Sequence, residues 1–570
     1  MQKAIPPGFP GGAGLASAPP SRLEEFGDLS QAADNSSQAV EYYRSAMAEL
    51  EPAEALGRVR LLYKIADCLR RRGDLDGAML HLRAAHEALR PLADPLWTGR
   101  LAGRFAFLQS EKGEYRRAAR YAHLAYELLR RTSEHADLAR AEVYLGIARL
   151  RLGQYMGAQE AFTSALATFR RIDSPEGMAI CLNNLGLVHK NLGQWSEATR
   201  CLEQALRLNE KIGNYALVAT QCLNIGILRY RRGEWDLAEE SLLRARQMMA
   251  ETEDANGDVQ VGLALGNLHR RRRQYVPARE CFRRARLQAE KQGLKRELIL
   301  ADEFEAELDL DESALAPAVM RLERALADAR RIAPAGDLVA EVSNRLALAH
   351  LWSGRLAAAY TTAQEAYGIC QRQGDRCEQA VAGRLLGLIS LAKDEDAVAA
   401  EHMIWSQRTF EELGERYELA RTFLWTARVL LGRDRAEGAL WESAPDMLKR
   451  AAALYRELGV PAGAAEAALL RARLVAPRGQ QDVALADVEH ALQWMREAGE
   501  TGAEERAAEV RREIEAQSVA SSISASNEFR ALEEANRLFR DAVDVRSVLA
   551  SMVKLAVEHA GGDRGFVAFA

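Results

Sequence analysis

Residues 181–206 read CLNNLGLVHKNLGQWSEATRCLEQAL, and residues 221–246 read QCLNIGILRYRRGEWDLAEESLLRAR. The two stretches align without a gap at an offset of 40 residues. Self-similarity at a fixed period of this length is typical of repeat proteins. The matching positions hold small or apolar residues: Gly186 and Gly226, Gly193 and Gly233, Ala198 and Ala238, Leu202 and Leu242, and Ala205 and Ala245.

The same register extends in both directions and gives about eleven units over residues 35–500. This order of a small residue, a turn glycine, an alanine, an aromatic or leucine, and a second alanine resembles the tetratricopeptide repeat family. The period of 40 is longer than the usual value of about 34 in that family. The resemblance implies an all-α fold, a right-handed solenoid of helix pairs whose inner wall is built mainly from the first helix of each pair, helix A.

Helix packing explains the pattern physically. A small residue such as Gly186 lets helix A approach its partner, helix B, closely, and Gly193 accepts the positive φ that ends helix A. Ala198 and Ala205 lie seven positions apart and therefore share one face of helix B. Because no single pair can bury its apolar face alone, the pairs are expected to stack.

The flanks of the repeat region differ in composition from the repeats. The Pro-, Gly- and Ala-rich start predicts a disordered leader over residues 1–34. The register is lost near residue 504, and residues 501–517 predict a polar helix that caps the stack. A Ser-rich stretch over residues 518–527 predicts a linker.

The last segment, residues 528–570, resembles the start of a GAF domain. That resemblance implies a signalling helix over 528–543, a second helix over 545–559 and a strand over 565–570, and therefore an incomplete α/β start. The apolar spacing in 528–543 would suit a homodimer seam or packing on the GAF core itself. The order of repeats, helix and GAF start resembles the front half of sigma-54-dependent activators and of sensor histidine kinases.

Composition narrows the class of protein. The formal net charge is −5, so bulk charge gives no reason to expect nucleic acid as a partner. The chain has seven cysteines, an odd number without a C-x-x-C motif, which is typical of reduced thiols in a cytoplasmic protein. We expect no membrane span, because no run of 18 apolar residues occurs.

The sequence contains no P-loop, H-E-x-x-H, G-x-S-x-G or kinase motif. We therefore expect a non-catalytic chain without a cofactor or metal. The predicted function is a protein-interaction scaffold, the partner- or peptide-sensing region of a bacterial signalling or transcription-regulatory protein. Two alternatives stay open: the front part of a sensor histidine kinase or another signalling enzyme, and a stand-alone repeat scaffold.

Polar residues in the second half of helix A are the first candidate site. Amide side chains in a row along the inner wall could bond the backbone of an extended peptide. The alternative is that they bond neighbouring helices and meet no ligand. The candidate groove residues are Asn183, Asn184, Lys190, Asn224, Tyr230, Asn267 and Asn344.

A basic ridge near the end of helix A is the second candidate. It could pair with an acidic partner or phosphate. Cations at helix C-termini are also favourable on their own, so a solvated surface is the alternative. The ridge residues are Arg70, Arg71, Arg151, Arg231, Arg270 and Arg271.

A strongly acidic helix A over residues 302–312 follows the basic region 270–286 by one unit. The two regions either neutralise each other or give the groove a dipole. The sequence favours intramolecular pairing.

Overall fold

The computed structural model describes residues 19–517 except 34, 52–53, 252–253 and 434–437. The described residues are helical and contain no strand. The chain divides into two compact units, which meet in sequence between Thr422 and Phe423.

The first unit contains ten consecutive helix pairs and the start of a further helix, α21. In each pair the odd-numbered helix is helix A and the even-numbered helix is helix B. The helices are α1 Pro20–Ala32, α2 Ser36–Ala48, α3 Ala55–Arg71, α4 Leu75–Leu89, α5 Pro95–Glu111, α6 Tyr115–Leu129, α7 His135–Arg151, α8 Tyr155–Arg171, α9 Pro175–Asn191, α10 Trp195–Ile212, α11 Tyr215–Arg231, α12 Trp235–Glu251, α13 Ala255–Arg271, α14 Tyr275–Gln292, α15 Lys295–Asp311, α16 Leu315–Ile332, α17 Asp337–Trp352, α18 Leu356–Gln373, α19 Arg376–Ala392, α20 Asp396–Leu413 and α21 Arg416–Leu431.

The second unit continues with α22 Ala439–Glu457, α23 Pro461–Val475, α24 Gln481–Glu497 and α25, residues 503–517. The apolar face of α25 joins the core formed by α23 and α24 through Ala503, Ala507, Val510 and Ile514. This contact covers the apolar side of α24 near the end of the described chain.

Capping residues and turn glycines that recur in the repeat set the ends of the helices. Ser174 caps α9 by accepting a hydrogen bond from the backbone N–H of Gly177, and Pro175 occupies the first turn. Gly193, with φ of +73°, ends the turn between α9 and α10. The same turn position is held by Arg273, Ser313 and Asp394 at positive φ, where the units lack the glycine.

Close helix approach depends on the small residue. A Cβ at Gly226 would lie 2.8 Å from Leu242 and 3.3 Å from the carbonyl oxygen of Ala238. Ala238 and Ala245 are fully buried on the facing side of α12. Van der Waals packing between the two helices therefore leaves no room for a larger residue.

Residues 20–32 form α1, although the sequence analysis placed them in the disordered leader. Leu23, Phe26 and Gly27 recur at helical spacing and pack on α2, where Tyr42 and Tyr43 lie in the same core. The spacing of these three residues gives α1 an apolar face that the Pro-rich composition of the preceding segment obscured. The predicted linker, signalling helix and GAF start lie outside the described residues, as does the rest of the leader up to residue 18.

Candidate functional site

The odd-numbered helices line the inner wall of the first unit. From α5 to α19 each odd-numbered helix contacts the next one, and successive even-numbered helices do not pack as closely in the described part of the chain. Helix A therefore lies on the tighter side of the curve, which makes its polar positions the candidate site.

Side chains connect neighbouring A helices along this wall at a spacing close to the repeat. Arg100 of α5 donates to Asp137 of α7 at 2.7 and 2.9 Å, and Arg104 of α5 donates to Asp67 of α3 at 2.8 Å. Arg296 of α15 makes a bidentate pair with Asp337 at 3.0 and 2.7 Å. These charge-assisted bonds join one helix pair to the next.

The part of the wall on α3, α5 and α7 also carries aromatic rings. We call this surface the aromatic wall. It consists of Tyr63, Trp97, Arg100, Arg104, Phe107 and Tyr144, all of them half-buried.

The rings and cations of the aromatic wall are stacked on each other. Tyr63 and Trp97 meet edge to face at 6.0 Å, and Phe107 lies 5.7 Å from Tyr144. Arg104 lies over the ring of Tyr63 at 4.8 Å, and Arg100 lies over Trp97 at 4.9 Å. Cation–π contacts and offset ring pairs of this kind hold the side chains in fixed positions.

Asp67 holds Arg104 of the aromatic wall in place through a hydrogen bond. Burial opposes its ionisation, but the guanidinium groups of Arg104, Arg70 and Arg71 outweigh burial and hold the pKa of Asp67 well below its ordinary value. The carboxylate is therefore charged at neutral pH and fixes the orientation of Arg104.

The predicted groove asparagines are all hydrogen-bonded within the chain. Asn224 donates to Asn183 Oδ1 at 2.8 Å, and Asn184 donates to the carbonyl oxygen of Ile180 at 2.9 Å. Asn267 accepts from Arg270 at 3.1 Å, and Asn344, only 1% exposed, donates to the backbone and carboxylate of Glu378. Side-chain hydrogen bonds between A helices therefore join Asn183 to Asn224 and Asn344 to Glu378.

Lys190 and Tyr230, the two other predicted groove residues, differ from each other. Burial and the neighbouring charge of Arg231 lower the pKa of Lys190 to about 8, and its side chain makes no hydrogen bond or ion pair with the described residues. Tyr230 is buried, and its ring lies 4.3 Å from the guanidinium of Arg271. Tyr230 is therefore part of the core of the wall, whereas Lys190 lies near the charges of Arg231 and Glu341.

Five of the six ridge arginines face carboxylates or other polar groups of the chain. Arg70 bonds Asp67 and Glu111, and Arg71 lies 3.6 Å from Asp67. Arg231 lies 3.8 Å from Glu378. The other two pairs within this set are Arg270 with Glu307 and Asp311, and Arg271 with Glu418.

These arginines therefore do not form an exposed basic edge. Arg270 and Arg271 are buried, because α15 supplies the acidic partners of Arg270 and α21 supplies Glu418 to Arg271. Arg151 is the exception, because it is half-buried and forms no ion pair with the described residues. Burial raises the pKa of Asp337, but the charge of Arg296 and, to a smaller extent, that of Arg151 lower it below its ordinary value.

The basic region of α13 and α14 and the acidic helix α15 neutralise each other. Arg270 bonds Glu307 at 2.9 Å and Asp311 at 2.8 Å, and Arg286 bonds Asp302 at 2.7 Å and Glu305 at 3.0 Å. This is the intramolecular pairing that the sequence favoured, and it leaves no dipolar groove at this place.

Further buried ion pairs lie along the wall, and we call them together the axial ion cluster. Arg345 of α17 contacts Glu303, Glu307 and Glu378 at 3.2, 3.5 and 2.6 Å. Arg384 of α19 bonds Glu418 at 2.9 Å. The cluster consists of Arg270, Arg271, Glu303, Glu307, Arg345, Glu378, Arg384 and Glu418.

The first unit coils back on itself, so that helix pairs five apart meet. Lys295 of the eighth pair bonds Glu114 of the third at 2.7 Å. A Cβ at Gly153 of the fourth pair would lie 2.3 Å from Gln373 of the ninth, and one at Gly193 of the fifth would lie 2.7 Å from Leu413 of the tenth. From α11 onward the inner wall is filled by buried side chains, because Arg231 meets Glu378 and Arg271 meets Glu418 across it.

The described residues hold no group of three or more His, Cys, Asp or Glu side chains arranged to bind a metal ion. None of the helices in the described ranges is long and apolar enough to cross a bilayer. The seven cysteines are unpaired, and six of them are buried.

Comparisons with known proteins agree with the repeat. Residues 137–211, which span α7 to α10 with the last helix almost complete, match the tetratricopeptide repeat family. A search of curated proteins finds no match.

Several solved structures are similar to this chain. A Rap protein complexed with competence and sporulation factor is 12% identical, with a TM-score of 0.48, over 64% of this chain and 99% of that one. The Rap conjugation gene regulator of plasmid pLS20, in complex with the Phr* peptide, is 13% identical, with a TM-score of 0.44, over 64% and 96%. BtubC from P. vanneervenii is 21% identical, with a TM-score of 0.30, over 41% and 92%.

The family match supports a tetratricopeptide-like α-solenoid. The family match contains none of residues 528–570, and nothing in the comparisons supports the GAF, activator or sensor-kinase resemblance. The part of the prediction that remains is the helical scaffold itself.

Sequence reasoning missed the aromatic wall. Arg104 and Tyr144 stand at the positions where other units carry asparagine, so they fall outside the predicted row of amides. The signal that could have found the wall is the type of residue, because Tyr, Trp and Arg at successive inner positions are typical of binding surfaces.

Proposed function

We propose that this chain is a protein-interaction scaffold that binds an extended peptide or a protein segment on the aromatic wall of α3, α5 and α7. The observation that carries the proposal is the stacked row of half-buried rings and guanidinium groups on that surface. Tyr, Trp and Arg are the residues that contribute most of the free energy at protein interfaces.

Pre-organisation favours binding at this surface. Asp137 fixes Arg100, and Asp67 together with the hydroxyl of Tyr63 fixes Arg104. Side chains that are already held lose little conformational entropy when a ligand arrives. Because each ring is only partly covered, its remaining apolar surface can be buried by the ligand.

The buried contacts on the inner wall from α11 onward are a second reason to place the ligand on the aromatic wall. A ligand contacting Asn224, Tyr230 or Asn344 would have to displace hydrogen bonds or cation–π contacts that are buried. Separating buried charge pairs of the axial ion cluster would be still more costly. We therefore propose that Asn183, Asn224, Tyr230, Asn267 and Asn344 hold the wall together and do not contact the ligand.

Asn184 and Lys190 extend the proposed site onto α9. Both are half-buried, and the ammonium group of Lys190 makes no hydrogen bond or ion pair with the described residues, although the charges of Arg231 and Glu341 act on it. A carbonyl or carboxylate of a bound peptide could accept a hydrogen bond from it. A cytoplasmic setting, which the seven unpaired cysteines favour, belongs to the same proposal.

Panning a displayed library of random linear peptides against the full chain tests the proposal. We expect recovered peptides to bind the wild type and the control Tyr360→Ala, which removes an exposed ring on α18. Trp97→Ala and Tyr144→Ala should each weaken binding at least about tenfold, or roughly 1.4 kcal/mol. Equal binding by these two variants, or a library without binders, would contradict the proposed function.

A further inference from the structure

The outer face of α6 carries an unusual concentration of positive charge. Arg116, Arg117 and Arg120 are exposed, and their side chains make no hydrogen bond or ion pair with the described residues. His123 and Arg131 extend the same exposed, unpaired surface. The only acidic residue within α6, Glu127, lies 3.4 Å from Arg130.

Several arginines on two other B helices, α14 and α16, form ion pairs with carboxylates of the chain. Arg324 and Arg330 of α16 bond Asp302 and Glu365. Arg279 and Arg286 of α14 likewise have carboxylate partners in α15 or just after it. These arginines therefore have acidic partners, whereas Arg116, Arg117 and Arg120 make no ion pair with the described residues.

Apolar side chains lie within this basic face. Tyr121 is 36% exposed and Leu124 is 45% exposed. Their positions four and seven residues after Arg117 place all three on one side of the helix. The ring of Tyr121 is stacked on Phe105 at 5.4 Å with an interplanar angle of 24°, so it is a fixed aromatic anchor.

We propose that this face of α6, formed by Arg116, Arg117, Arg120, Tyr121 and Leu124, binds an acidic amphipathic helix of a partner protein. Charge complementarity selects the partner's polar face, because the three exposed arginines make no ion pair with the described residues and Glu114, the carboxylate near Arg117, is already paired with Lys295. The stripe of Tyr121 and Leu124 gives the partner's apolar face a place to bury area. A helix with both features satisfies the whole surface.

Nucleic acid and membrane are less suited to this surface. Contacts with a phosphate backbone need cations alone and leave Tyr121 and Leu124 unused. The net charge of −5 also gives the chain no long-range attraction to a polyanion or an anionic bilayer. Both alternatives are outcomes of the test below.

This site is independent of the aromatic wall. The wall uses the inner side of α5, whereas the proposed site uses the outer side of α6 in the same helix pair. A partner on α6 would leave the wall open, so one chain could hold two ligands at once.

Fluorescence anisotropy with the full chain tests the proposal. The probe is a labelled synthetic helix with leucines on one face and glutamates on the other. Matched probes are a peptide of scrambled sequence, a short DNA duplex and phosphatidylserine vesicles. Two variants alter the proposed site: the charge reversal Arg116→Glu/Arg117→Glu/Arg120→Glu and the apolar change Tyr121→Ser/Leu124→Ser. The matched control, Arg200→Glu/Arg207→Glu/Lys211→Glu, reverses three exposed charges of α10.

We expect the amphipathic probe to bind the wild type and the α10 control with similar affinity. Both α6 variants should lose at least about tenfold in affinity, and the scrambled peptide should bind the wild type at least about tenfold more weakly. Because the altered side chains are exposed, thermal melting should show that each variant remains folded. No binding of the probe, unchanged binding by either α6 variant, equal binding of the scrambled peptide, or tighter binding of the duplex or vesicles would each overturn the proposal.

Discussion

The guanidinium group of Arg271 lies 3.3 Å from Glu418 Oε1, although 147 positions of sequence separate the two residues. The same group lies between the rings of Tyr230 and Tyr417, at 4.3 and 4.6 Å. This contact joins α13 to the first turn of α21 across the axis of the first unit. It explains why an inner wall that the repeat pattern predicts as a groove is closed over half of its length.

Glu418→Gln should destabilise the first unit strongly. The carboxylate of Glu418 bonds Arg271, Arg384 and Arg421, and all three cations are buried. Removing its charge leaves buried guanidinium groups undercompensated, which costs about 3–5 kcal/mol. Urea unfolding followed by circular dichroism measures the change.

The matched control for this change is Glu280→Gln. Glu280 pairs with Arg283 on the exposed face of α14, and solvent screens that pair. We expect no measurable shift of the unfolding midpoint. A similar midpoint for both variants would show that the axial ion cluster does not stabilise the fold.

Asn183 and Asn224 should be coupled. Asn224→Ala removes the donor of the 2.8 Å bond and leaves the Oδ1 of Asn183 buried without it, at a cost of about 1–3 kcal/mol. In the background of Asn224→Ala, the further change Asn183→Ala should cost much less than it does alone. A double-mutant cycle measures this difference, and strictly additive effects would mean that the two amides do not stabilise the wall together.

The helix pairs could be predicted from the sequence, because each pair depends on residues within one period. The Gly226–Leu242 contact, for example, lies within a single unit. The Arg271–Glu418 contact could not be predicted, since it depends on the summed rotation of four successive pairs and has no periodic signal. Type and spacing also could not distinguish an asparagine that faces a peptide from one that bonds another asparagine, as Asn183 and Asn224 do.

Stability should fall as the pH rises from about 4 to about 7. Burial and the charge of Glu378 raise the pKa of Asp375 to about 7, and burial raises the pKa of Glu415 to about 7. In the unfolded chain both groups ionise near about 4. Between these values the folded state keeps protons that the unfolded state releases, so the free energy of unfolding decreases with pH.

The double variant Asp375→Asn/Glu415→Gln tests this assignment. Asn retains the helix cap that Asp375 makes with the backbone N–H of Glu378. The other titratable groups around the two positions remain: Arg231, Arg271, Glu341, Cys377, Glu378 and Glu418. We expect the slope of unfolding free energy between about pH 5 and about pH 7 to flatten, whereas an unchanged slope would assign the pH dependence to other groups.

Gly226→Ala should destabilise the chain even though alanine favours helix over glycine by about 1 kcal/mol. The new Cβ would lie 3.3 Å from the Ala238 carbonyl, and that backbone atom cannot move without separating α11 from α12. Steric overlap in a close-packed helix interface costs about 1–3 kcal/mol, which exceeds the gain in propensity. Gly368→Ala in α18 is the matched control, because its Cβ would approach only the flexible end of Arg372, at 3.4 Å. At Gly368 only the helix preference of alanine acts. Thermal melting should therefore show that Gly226→Ala lowers the melting midpoint and that Gly368→Ala raises it. Two shifts of the same sign would refute the argument from close approach.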